Sequence, residues 1–326
     1  MNVLICSTGS RVKLVQYLKE ALVDDGKVIA ADWERYSPAF DAADDYEIIP
    51  HMEEEGYLEA VLEVCKKHAV KGLLPLMDEE AEILSAAREQ FSEIGVSLVL
   101  SSAEIVEYCC DKLKTYEYLE RAGLPGVPTF DKVREVEQLL EQGDLEFPLI
   151  VKPEDGKASQ GVQMVKNNAD MEKLVAQDGE FIMQPYYKDR EFGVDVYVDQ
   201  ISGEMVDMFI KEKYEMNGGA TDTSISVHDA RIETLMKDLV ASMDFSGPLD
   251  IDCFEHNGKY YISEINPRLG AGYLHAHEMG CNFMDYLVRN LVGESNPPYE
   301  GYRYEKDVVM MKYMDVMLRK ITEEEG

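Results

Sequence analysis

The sequence predicts an α/β protein that begins with a parallel sheet. Short apolar segments rich in β-branched residues alternate with longer amphipathic segments over roughly the first 100 residues, which is typical of strand, helix, strand units. The chain has 326 residues and 45% of them are hydrophobic, enough to fill the cores of about two or three domains.

Each predicted strand of this first region leads into a loop or a helix. The predicted strands are NVLIC (2–6), KVIAAD (27–32), KGLLPLMD (71–78) and VSLVLSS (96–102). The predicted helices are VKLVQYLKEAL (12–22), GYLEAVLEVCKKHAV (56–70) and EEAEILSAAREQFSEIG (79–95). Because ligands of parallel sheets bind at the carboxyl ends of strands, we expect Ser7 to Arg11, Asp32 and Asp78 at the ligand edge.

This Rossmann-like layout raises the alternative of a dinucleotide site, with Asp32 as the acid that binds the ribose. The loop STGSR contains a single glycine, Gly9, whereas the dinucleotide fingerprint needs three. A simple turn between strand and helix is therefore favoured over an NAD-dependent oxidoreductase.

Composition excludes several classes of protein. The formal net charge of -32 argues against standing affinity for nucleic acid or for an anionic membrane surface. The six cysteines show no CxxC pair, which favours reduced thiols over a disulfide framework or a zinc site. No basic segment leads into an apolar run at the N-terminus, and no window of about 20 apolar residues occurs, so we expect a cytoplasmic protein.

The segment CCDKLKTYEYLERAGLPGVPTF is a candidate domain boundary. Asp111 is placed to cap a helix that runs to about Arg121, and Gly123 is placed at its C-terminal cap. Lys112 falls in the first helical turn, where a cation is unfavourable unless an anion lies nearby. A solvated surface lysine is the alternative for this residue taken alone.

The segment FPLIVKPEDGKASQGVQMV predicts two strands joined by a glycine-containing flap. Lys152 ends the first strand, and the flap carries Gly156, Ser159 and Gly161. A glycine loop lets backbone N–H groups approach phosphate oxygens, and an adjacent lysine adds a positive charge. Because the lysine precedes the loop, this is not a Walker A sequence. A plain hairpin is the alternative.

The next strands carry further polar residues. Pro185 in MQPYY removes one backbone donor and is expected to leave neighbouring backbone groups free for an adenine edge. Glu191 could accept both hydroxyls of a ribose diol, or lie on the surface. Lys211 and Lys213 share one face of a strand, where they either balance carboxylates or hold phosphate, and we favour phosphate for Lys213.

The strands GPLDIDCF and KYYISEIN form an acidic hairpin in which the register decides whether one site exists. With a two-residue turn at Asn257 and Gly258, Asp252 would point away from Glu264. With a three-residue loop, His256 to Gly258, Asp252 pairs with Ile262 and shares a face with Glu264 and Asn266. We predict the three-residue loop, because three convergent oxygen-bearing side chains are suitable Mg²⁺ ligands. A wet outer sheet face is the alternative.

In this order along the chain, these residues resemble the ATP-grasp superfamily, and SEINPR is similar to the motif of carbamoyl phosphate synthetase and biotin carboxylase. The resemblance spans about Asp111 to Gly293. It implies a Rossmann-like domain over residues 1–110, followed by a two-lobed α+β ATP-grasp fold. The small lobe with the glycine flap would span residues 111–187, and the large lobe with the metal site residues 188–326.

The resemblance also implies roles for individual residues. ATP phosphates would be bound by Lys112, Lys152, Lys213 and the flap residues Gly156, Ser159 and Gly161. The adenine would be bound by Gln184, Pro185, Tyr186 and Tyr187, and the ribose by Glu191. Two Mg²⁺ or Mn²⁺ ions would be held by Asp252, Glu264 and Asn266. Arg268, with Lys213, would be catalytic and would stabilise an acyl phosphate and its attack.

The implied activity is an ATP-dependent ligase that joins a small carboxylate to an amino acid or to ammonia. A carbamoyl phosphate synthetase-like half that works with a partner, and a non-catalytic ATP-binding subunit, remain alternatives, as does a homodimer. The segment RLGAGYLHAHEMG, with Arg11 and Gly218 to Thr221, would line the acceptor side. His275 and His277 in that segment could instead pack a helix start on the sheet. The segment GYRYEKDVVMMKYMDVML predicts a closing strand.

Overall fold

The N-terminal region folds into the predicted parallel sheet. The computed structural model describes residues 1–22, 26–153, 161–175, 181–187, 189–217 and 220–320. The sheet has the order β3-β2-β1-β4-β5, and all of its pairs are parallel. Its strands are β1 (Asn2–Cys6), β2 (Val28–Asp32), β3 (Asp45–Ile48), β4 (Val70–Leu74) and β5 (Ser97–Leu98).

Helices cover both faces of this sheet. They are α1 (Val12–Ala21), a 3-10 helix (Pro38–Asp41), α2 (Tyr57–Lys67), α3 (Asp78–Ala86), α4 (Arg88–Glu93) and α5 (Ala103–Cys110). Two details differ from the prediction. The edge strand β3 was not predicted, because its segment DYEI lacks an apolar pattern and is partly exposed. The helix predicted over residues 79–95 is divided in two at Ala87.

A small antiparallel sheet, in the order β7-β6-β8, follows the predicted boundary. Its elements are α6 (Lys112–Ala122), α7 (Val133–Gln142), β6 (Leu149–Pro153), β7 (Gln163–Val165), α8 (Asn168–Val175) and β8 (Phe181–Pro185). As predicted, the Asp111 carboxylate accepts hydrogen bonds from the backbone of Leu113 and Lys114, and Gly123 ends α6 in the left-handed conformation. These two caps set the bounds of α6, so Lys112 is its first residue.

A six-stranded antiparallel sheet forms the rest of the fold, in the order β13-β12-β9-β10-β11-β14. Its elements are β9 (Arg190–Val198), β10 (Met205–Asn217), β11 (Ala220–Val227), α9 (Ala230–Ser242), β12 (Gly247–His256), β13 (Lys259–Asn266), α10 (Tyr273–Glu278), α11 (Phe283–Leu291) and β14 (Val309–Met311). The predicted closing strand is confirmed as β14, which pairs with β11 at the sheet edge.

The two faces of the six-stranded sheet have different roles. One face is apolar and packs with α9, through residues such as Val194, Ile210 and Ile251. At one end of the other face, Tyr197 and Phe209 share a core with α10, α11 and the N-terminal helix α1. The parallel sheet is therefore anchored directly to the larger lobe. No helix within the described ranges is long and apolar enough to cross a membrane.

The acidic hairpin β12–β13 corrects the predicted loop. His256 pairs with Lys259, so the turn has two residues, Asn257 and Gly258, and both have positive φ, at 51° and 71°. The predicted three-residue loop and the pairing of Asp252 with Ile262 are therefore wrong.

The register shifts further along the same hairpin. Cys253 pairs with Ile262, and the next pair is Asp252 with Glu264, so Ser263 is the extra residue of a β-bulge. Because directly paired residues of an antiparallel sheet point to the same face, Asp252 and Glu264 lie side by side. The bulge produces the shared face that the sequence led us to expect from the loop.

We predict that Gly258→Val destabilises the protein by about 1–2 kcal/mol, because a β-branched residue is strained at the left-handed φ of this turn. The matched control is Lys259→Val, at the next and exposed position, which should change stability by less than about 0.5 kcal/mol. Urea unfolding of the two variants checks this. Equal stability of both variants would contradict the turn geometry.

Candidate active site

Charged side chains from neighbouring strands converge on one face of the six-stranded sheet. The register places Gly193 of β9 between Asp252 of β12 and Lys211 of β10. A Cβ atom at Gly193 would lie 3.1 Å from Cε of Lys211 and 3.2 Å from Cε of Lys213. The glycine therefore makes room for two lysine side chains to cross the strand toward the carboxylates.

Lys213 lies between two carboxylates. Its Nζ is 2.6 Å from Oδ1 of Asp252 and 3.0 Å from Oε1 of Glu191, and the side chain is only 6% exposed. Burial opposes the charge of Lys213, but the two carboxylates outweigh it and raise its pKa. Burial also raises the pKa of Asp252, against the effect of Lys213. The site thus holds a cation where Glu191 and Asp252 meet.

Lys211 belongs to a different ion pair. Its ammonium contacts the carboxylate of Asp195, and both side chains are almost completely buried. Burial raises the pKa of Asp195 to about 6 even with Lys211 beside it. A Cβ atom at Gly272 would lie 2.7 Å from Cε of Lys211, so the RLGAG turn packs directly over this pair.

Glu264 and Asn266 lie on the same face, at the edge of the hairpin. Nζ of Lys112 is 3.4 Å from Oε1 of Glu264, so the first turn of α6 contributes a cation to the face. Nδ2 of Asn266 donates to the carbonyl of Asp250 at 3.1 Å, which leaves its Oδ1 as an acceptor. Burial, with the nearby charge of Lys112, lowers the pKa of Lys152.

Arg268 connects this face to the N-terminal sheet. Its Nη2 donates to Oδ2 of Asp78 at 2.8 Å, and its Nη1 donates to Oδ2 of Asp250 at 3.4 Å. Its Nε is buried and has no hydrogen-bond partner among the described residues. A Cβ atom at Gly270 would lie 2.3 Å from the Asp250 carboxylate, so the turn after Arg268 closes tightly on that side chain. One buried donor of Arg268 is therefore unpartnered among the described residues.

The predicted adenine segment is partly engaged within the protein. The Tyr186 N–H donates to the carbonyl of Pro148 at 3.1 Å, so this backbone donor next to Pro185 is engaged within the protein. Nε2 of Gln184 donates to Oγ1 of Thr129 at 2.8 Å. The chain leaves the ladder after Pro185, which pairs with Leu149.

Tyr187 lies beyond that strand end, in an aromatic cluster. Its ring stacks on His256 with centroids 4.2 Å apart and is tilted against Tyr261 at 5.1 Å. Burial raises its pKa to about 12. The cluster continues to Phe254, which is paired with Glu191 in the sheet. An apolar wall therefore adjoins the carboxylate that is expected to bind the ribose.

Part of the predicted site lies outside the described residues. Outside them are Gly156 and Ser159 of the predicted flap, and Gly218 and Gly219 of the predicted acceptor loop. Gly161, at the start of the next described segment, has a positive φ of 69° and precedes β7.

The two histidines near the turn pack within the fold. His275 is 2% exposed, and its Nδ1 lies 2.8 Å from Oγ of Ser224. Burial lowers its pKa to about 4. His277 stacks on Tyr17 of α1 with ring centroids 3.6 Å apart. For these two residues the structure favours the packing alternative.

The sequence predicted Asp78 at the ligand edge of the parallel sheet, but it assigned no specific role to Asp78, Asp250 or Asp195. Asp250 and Asp78 hold Arg268, and Asp195 holds Lys211. The strand alternation gave a signal for Asp195, because it lies four residues after Glu191 and so on the same face. Asp78 opens α3 at the predicted ligand edge, but the pattern of the hairpin contains no information about its contact with Arg268.

The donor set of Asp252, Glu264 and Asn266 fits a hard divalent cation. Two carboxylates and an amide oxygen are the ligand types that Mg²⁺ takes. Each carboxylate already contacts a lysine ammonium, so cations occupy the positions next to these oxygens. A cluster of three or more His, Cys, Asp or Glu side chains with metal-binding geometry was not found in the described part of the chain. A set of three protein ligands at this position therefore has to include the amide oxygen of Asn266.

Known proteins share this architecture. The biotin carboxylase domain of 2-oxoglutarate carboxylase from Hydrogenobacter thermophilus, solved with MgADP, ADP and bicarbonate, superposes with a TM-score of 0.76 at 16% identity, over 94% of this chain and 73% of that chain. N5-carboxyaminoimidazole synthetase from Staphylococcus aureus, complexed with ADP, gives a TM-score of 0.72 at 18% identity, over 91% and 78% of the two chains. At these identities the likeness establishes the fold, and the predicted fold class is confirmed.

Sequence relatives are carbamoyl phosphate synthases and carboxylases. The large chain of carbamoyl phosphate synthase from Clostridium beijerinckii is 24% identical over 252 residues, which is 72% of this chain and 22% of that protein. Biotin carboxylase from Halalkalibacterium halodurans is 29% identical over 129 residues, 37% of this chain and 28% of that protein. The chain thus spans about a quarter of the length of these curated relatives.

Two family models match consecutive parts of the chain. Residues 3–99 match the PylC-like, N-terminal domain, and these residues contain the parallel sheet. Residues 109–272 match the ATP-grasp domain, and they contain Lys112, the acidic hairpin and Arg268. The second match covers half of the chain, so the protein belongs to the ATP-grasp family.

Proposed function

We propose that this protein is an ATP-dependent ligase that joins a small carboxylate to an amine through an acyl phosphate. The observation that carries the proposal is the row of lysines and carboxylates on one sheet face, which ends at Arg268 and its unpartnered buried Nε. Membership of the ATP-grasp family and relatives that are carboxylases and carbamoyl phosphate synthases support it.

A carboxylate must be activated before an amine can displace one of its oxygens. A carboxylate is a poor electrophile because its leaving group would be oxide. Transfer of the γ-phosphoryl group of ATP to a carboxylate oxygen releases ADP and creates a phosphate leaving group. The amine then attacks the carbonyl carbon, the C–N bond forms, phosphate leaves and the amine loses a proton. Both steps concentrate negative charge, which a dry site lined with cations stabilises.

The lysines and Glu191 would hold the nucleotide. Lys112, Lys152 and Lys213 would neutralise its phosphate oxygens, and Glu191 would accept the ribose hydroxyls. Lys112 and Lys213 contact carboxylates on the same face. On binding, the nucleotide phosphates would replace the carboxylates as partners of the lysines, and the metal would replace the lysines as the partner of the carboxylates. Tyr187 and its aromatic neighbours would contact the adenine, together with Gln184, Pro185 and Tyr186.

Asp252, Glu264 and Asn266 would bind Mg²⁺, and we propose two ions, with Mn²⁺ as a substitute. Bound metal neutralises charge on the transferring phosphoryl group. Arg268 would direct its free Nε to the acyl phosphate or to the oxyanion formed on attack. Asp78 and Asp250 keep the guanidinium in place for that task.

The proposed division of the chain follows the three sheets. Residues 1–110 would form one unit with the parallel sheet, and residues 111–187 a second with the small sheet and the predicted flap. Residues 188–326 would form the third, with the six-stranded sheet and the proposed metal ligands. The nucleophile would be an amino acid or ammonia, in a cytoplasmic protein that acts alone, as a homodimer or with a partner subunit.

Replacing Glu264 with Gln should weaken binding of the Mg²⁺–nucleotide complex by at least roughly tenfold, because a metal-binding carboxylate becomes a neutral amide. Isothermal titration with a non-hydrolysable ATP analogue and Mg²⁺ measures this. Glu255→Gln is the matched control, because Glu255 lies on the same hairpin but pairs with Arg190. Unchanged affinity in Glu264→Gln would remove the metal assignment.

Arg268→Lys should lower kcat by about 100-fold to 1000-fold with little change in nucleotide affinity, because lysine lacks the fixed fork of donors that holds the oxyanion. ADP release with Mg²⁺ and ATP, across a panel of amino acids and small carboxylates, provides the rate. The control is Arg289→Lys, at a half-exposed arginine of α11. If wild-type ADP release responds to no substrate in the panel, the ligase proposal itself fails.

Nucleotide binding at alkaline pH should take up protons through Lys152. Burial and the charge of Lys112 lower its pKa, so it loses its proton at lower pH than a free lysine does. Bound phosphate favours the charged form and raises that pKa again, so affinity falls as pH rises through the lowered pKa. Titration in buffers of different ionisation enthalpy should detect the uptake in wild type and in Lys114→Met. Uptake of the same size in Lys152→Met would refute the assignment.

A further inference from the structure

Two lysine ammonium groups contact the carboxylates that are proposed to hold the metal ion. Nζ of Lys213 lies 2.6 Å from Oδ1 of Asp252, and Nζ of Lys112 lies 3.4 Å from Oε1 of Glu264. The hairpin register places Asp252 directly opposite Glu264, so the lysines approach one pair of carboxylates from two different elements, β10 and α6. A cation therefore stands beside each acidic residue of the proposed metal site.

The lysines of these contacts are less exposed than the carboxylates. The side chain of Lys213 is 6% exposed and that of Asp252 is 19% exposed, and the values for Lys112 and Glu264 are 13% and 33%. Charges that are withdrawn from solvent are screened less and interact more strongly than exposed ones. A divalent cation that reaches the carboxylates from solvent would therefore compete with ammonium groups that already lie behind them.

The charges joined by these contacts almost balance. Nζ of Lys213 is also 3.0 Å from Oε1 of Glu191, so the contacts join three carboxylates to two ammonium groups. Lys152, which interacts with the charges of Lys112 and Glu264, adds further positive charge. A dication that enters while the lysines stay in place would meet a nearly neutral group and would be repelled by the ammonium groups.

The remaining acidic residues of this face have cations of their own. Asp250 contacts Arg268 at 3.4 Å, and Asp195 contacts Lys211. Each of the five carboxylates named on this face thus already contacts a cation. Metal binding therefore requires that a cation of the protein gives up a carboxylate.

A nucleotide supplies the anions that make this exchange favourable. Phosphate oxygens accept charged hydrogen bonds from ammonium groups, and each lysine that turns to a phosphate leaves a carboxylate oxygen for the metal. A lysine carries its charge on a flexible four-carbon chain, so this change needs no movement of the backbone. Metal and nucleotide would then favour each other's binding by the same factor, because such coupling is reciprocal.

We propose that Lys112 and Lys213 are internal counter-ions that hold the metal ligands until nucleotide binds, so that the site takes up a divalent cation only together with nucleotide. The inference rests on the proposed function and concerns the regulation of the same site. The two lysines exclude free Mg²⁺ from the nucleotide-free protein. They turn to phosphate at the point where the metal is needed.

The test measures binding of Mn²⁺ alone to the full chain without nucleotide, from the electron paramagnetic resonance signal of the free ion. Wild type should bind Mn²⁺ weakly, and Lys213→Met should bind it roughly 10-fold to 100-fold more tightly, because Asp252 loses its competing cation. The same variant should bind a non-hydrolysable ATP analogue more weakly, because a phosphate partner is lost. Changes of opposite sign for metal and nucleotide distinguish this role from general damage to the site.

Two further variants and a matched control assign the gain to the charge of Lys213. Lys213→Arg keeps the charge and should retain weak Mn²⁺ binding, whereas adding Asp252→Asn to Lys213→Met should abolish the gained affinity. The control is Arg190→Met, which removes one positive charge from between Glu212 and Glu255. Arg190 precedes Glu191 on β9 and so lies on the opposite face of the sheet. This control should bind Mn²⁺ like wild type.

Lys112→Met tests the second lysine in the same way. Its contact with Glu264 is longer, so the gain in Mn²⁺ affinity should be smaller, about fivefold. Lys114→Met is the control, because Lys114 lies on the same helix and pairs with the exposed Glu107. Circular dichroism establishes that each variant is folded. If Lys213→Met does not fold, Lys213→Gln, which keeps a donor without the charge, takes its place.

The outcomes separate this inference from the ligase proposal. The inference is wrong if wild type binds Mn²⁺ equally well with and without the ATP analogue, or if Lys213→Met binds Mn²⁺ no more tightly than Arg190→Met. A gain in Lys213→Met, without ADP release by wild type on any substrate, supports the counter-ion role and defeats the ligase. ADP release by wild type, without a gain in the variant, does the reverse.

Discussion

The ion pairs of Lys213 are the interaction on which the rest of this site depends. An ammonium that is 6% exposed is tolerable only because Glu191 and Asp252 both contact it. The same cation keeps two carboxylates close together that would otherwise repel each other. In the proposed function, this sheet face would exchange its lysine contacts for metal and phosphate.

Several features of the backbone make that arrangement possible. Gly193 leaves space for the lysine side chains, and Gly270 and Gly272 let the turn after β13 close on Asp250 and Lys211. The bulge at Ser263 brings Asp252 and Glu264 into direct register. The bulge is a local exception to regular sheet geometry, and each glycine lies where a charged side chain needs room.

The sequence predicted what depends on local pattern. Hydrophobic periodicity gave the strands β1, β2 and β4, and capping chemistry gave α6 with Asp111 and Gly123. The sequence did not predict the features that depend on contacts between distant segments. A regular ladder from the Asn257–Gly258 turn would separate Asp252 from Glu264, and no local signal in the sequence marks a bulge at Ser263. The bond from Tyr186 to Pro148 and the pairing of Asp78 with Arg268 join segments that are far apart in the chain.

The overall charge and the charge of the site act over different distances. A net charge of -32 repels anionic polymers, whose many phosphates interact with the whole surface. At physiological ionic strength, however, screening limits interactions between exposed charges to about 8 Å, whereas buried pairs are screened far less. A small anion that reaches the candidate site would therefore interact mainly with nearby charges, such as those of Lys112, Lys213 and Arg268. An acidic surface and the proposed site for anionic substrates are compatible for this reason.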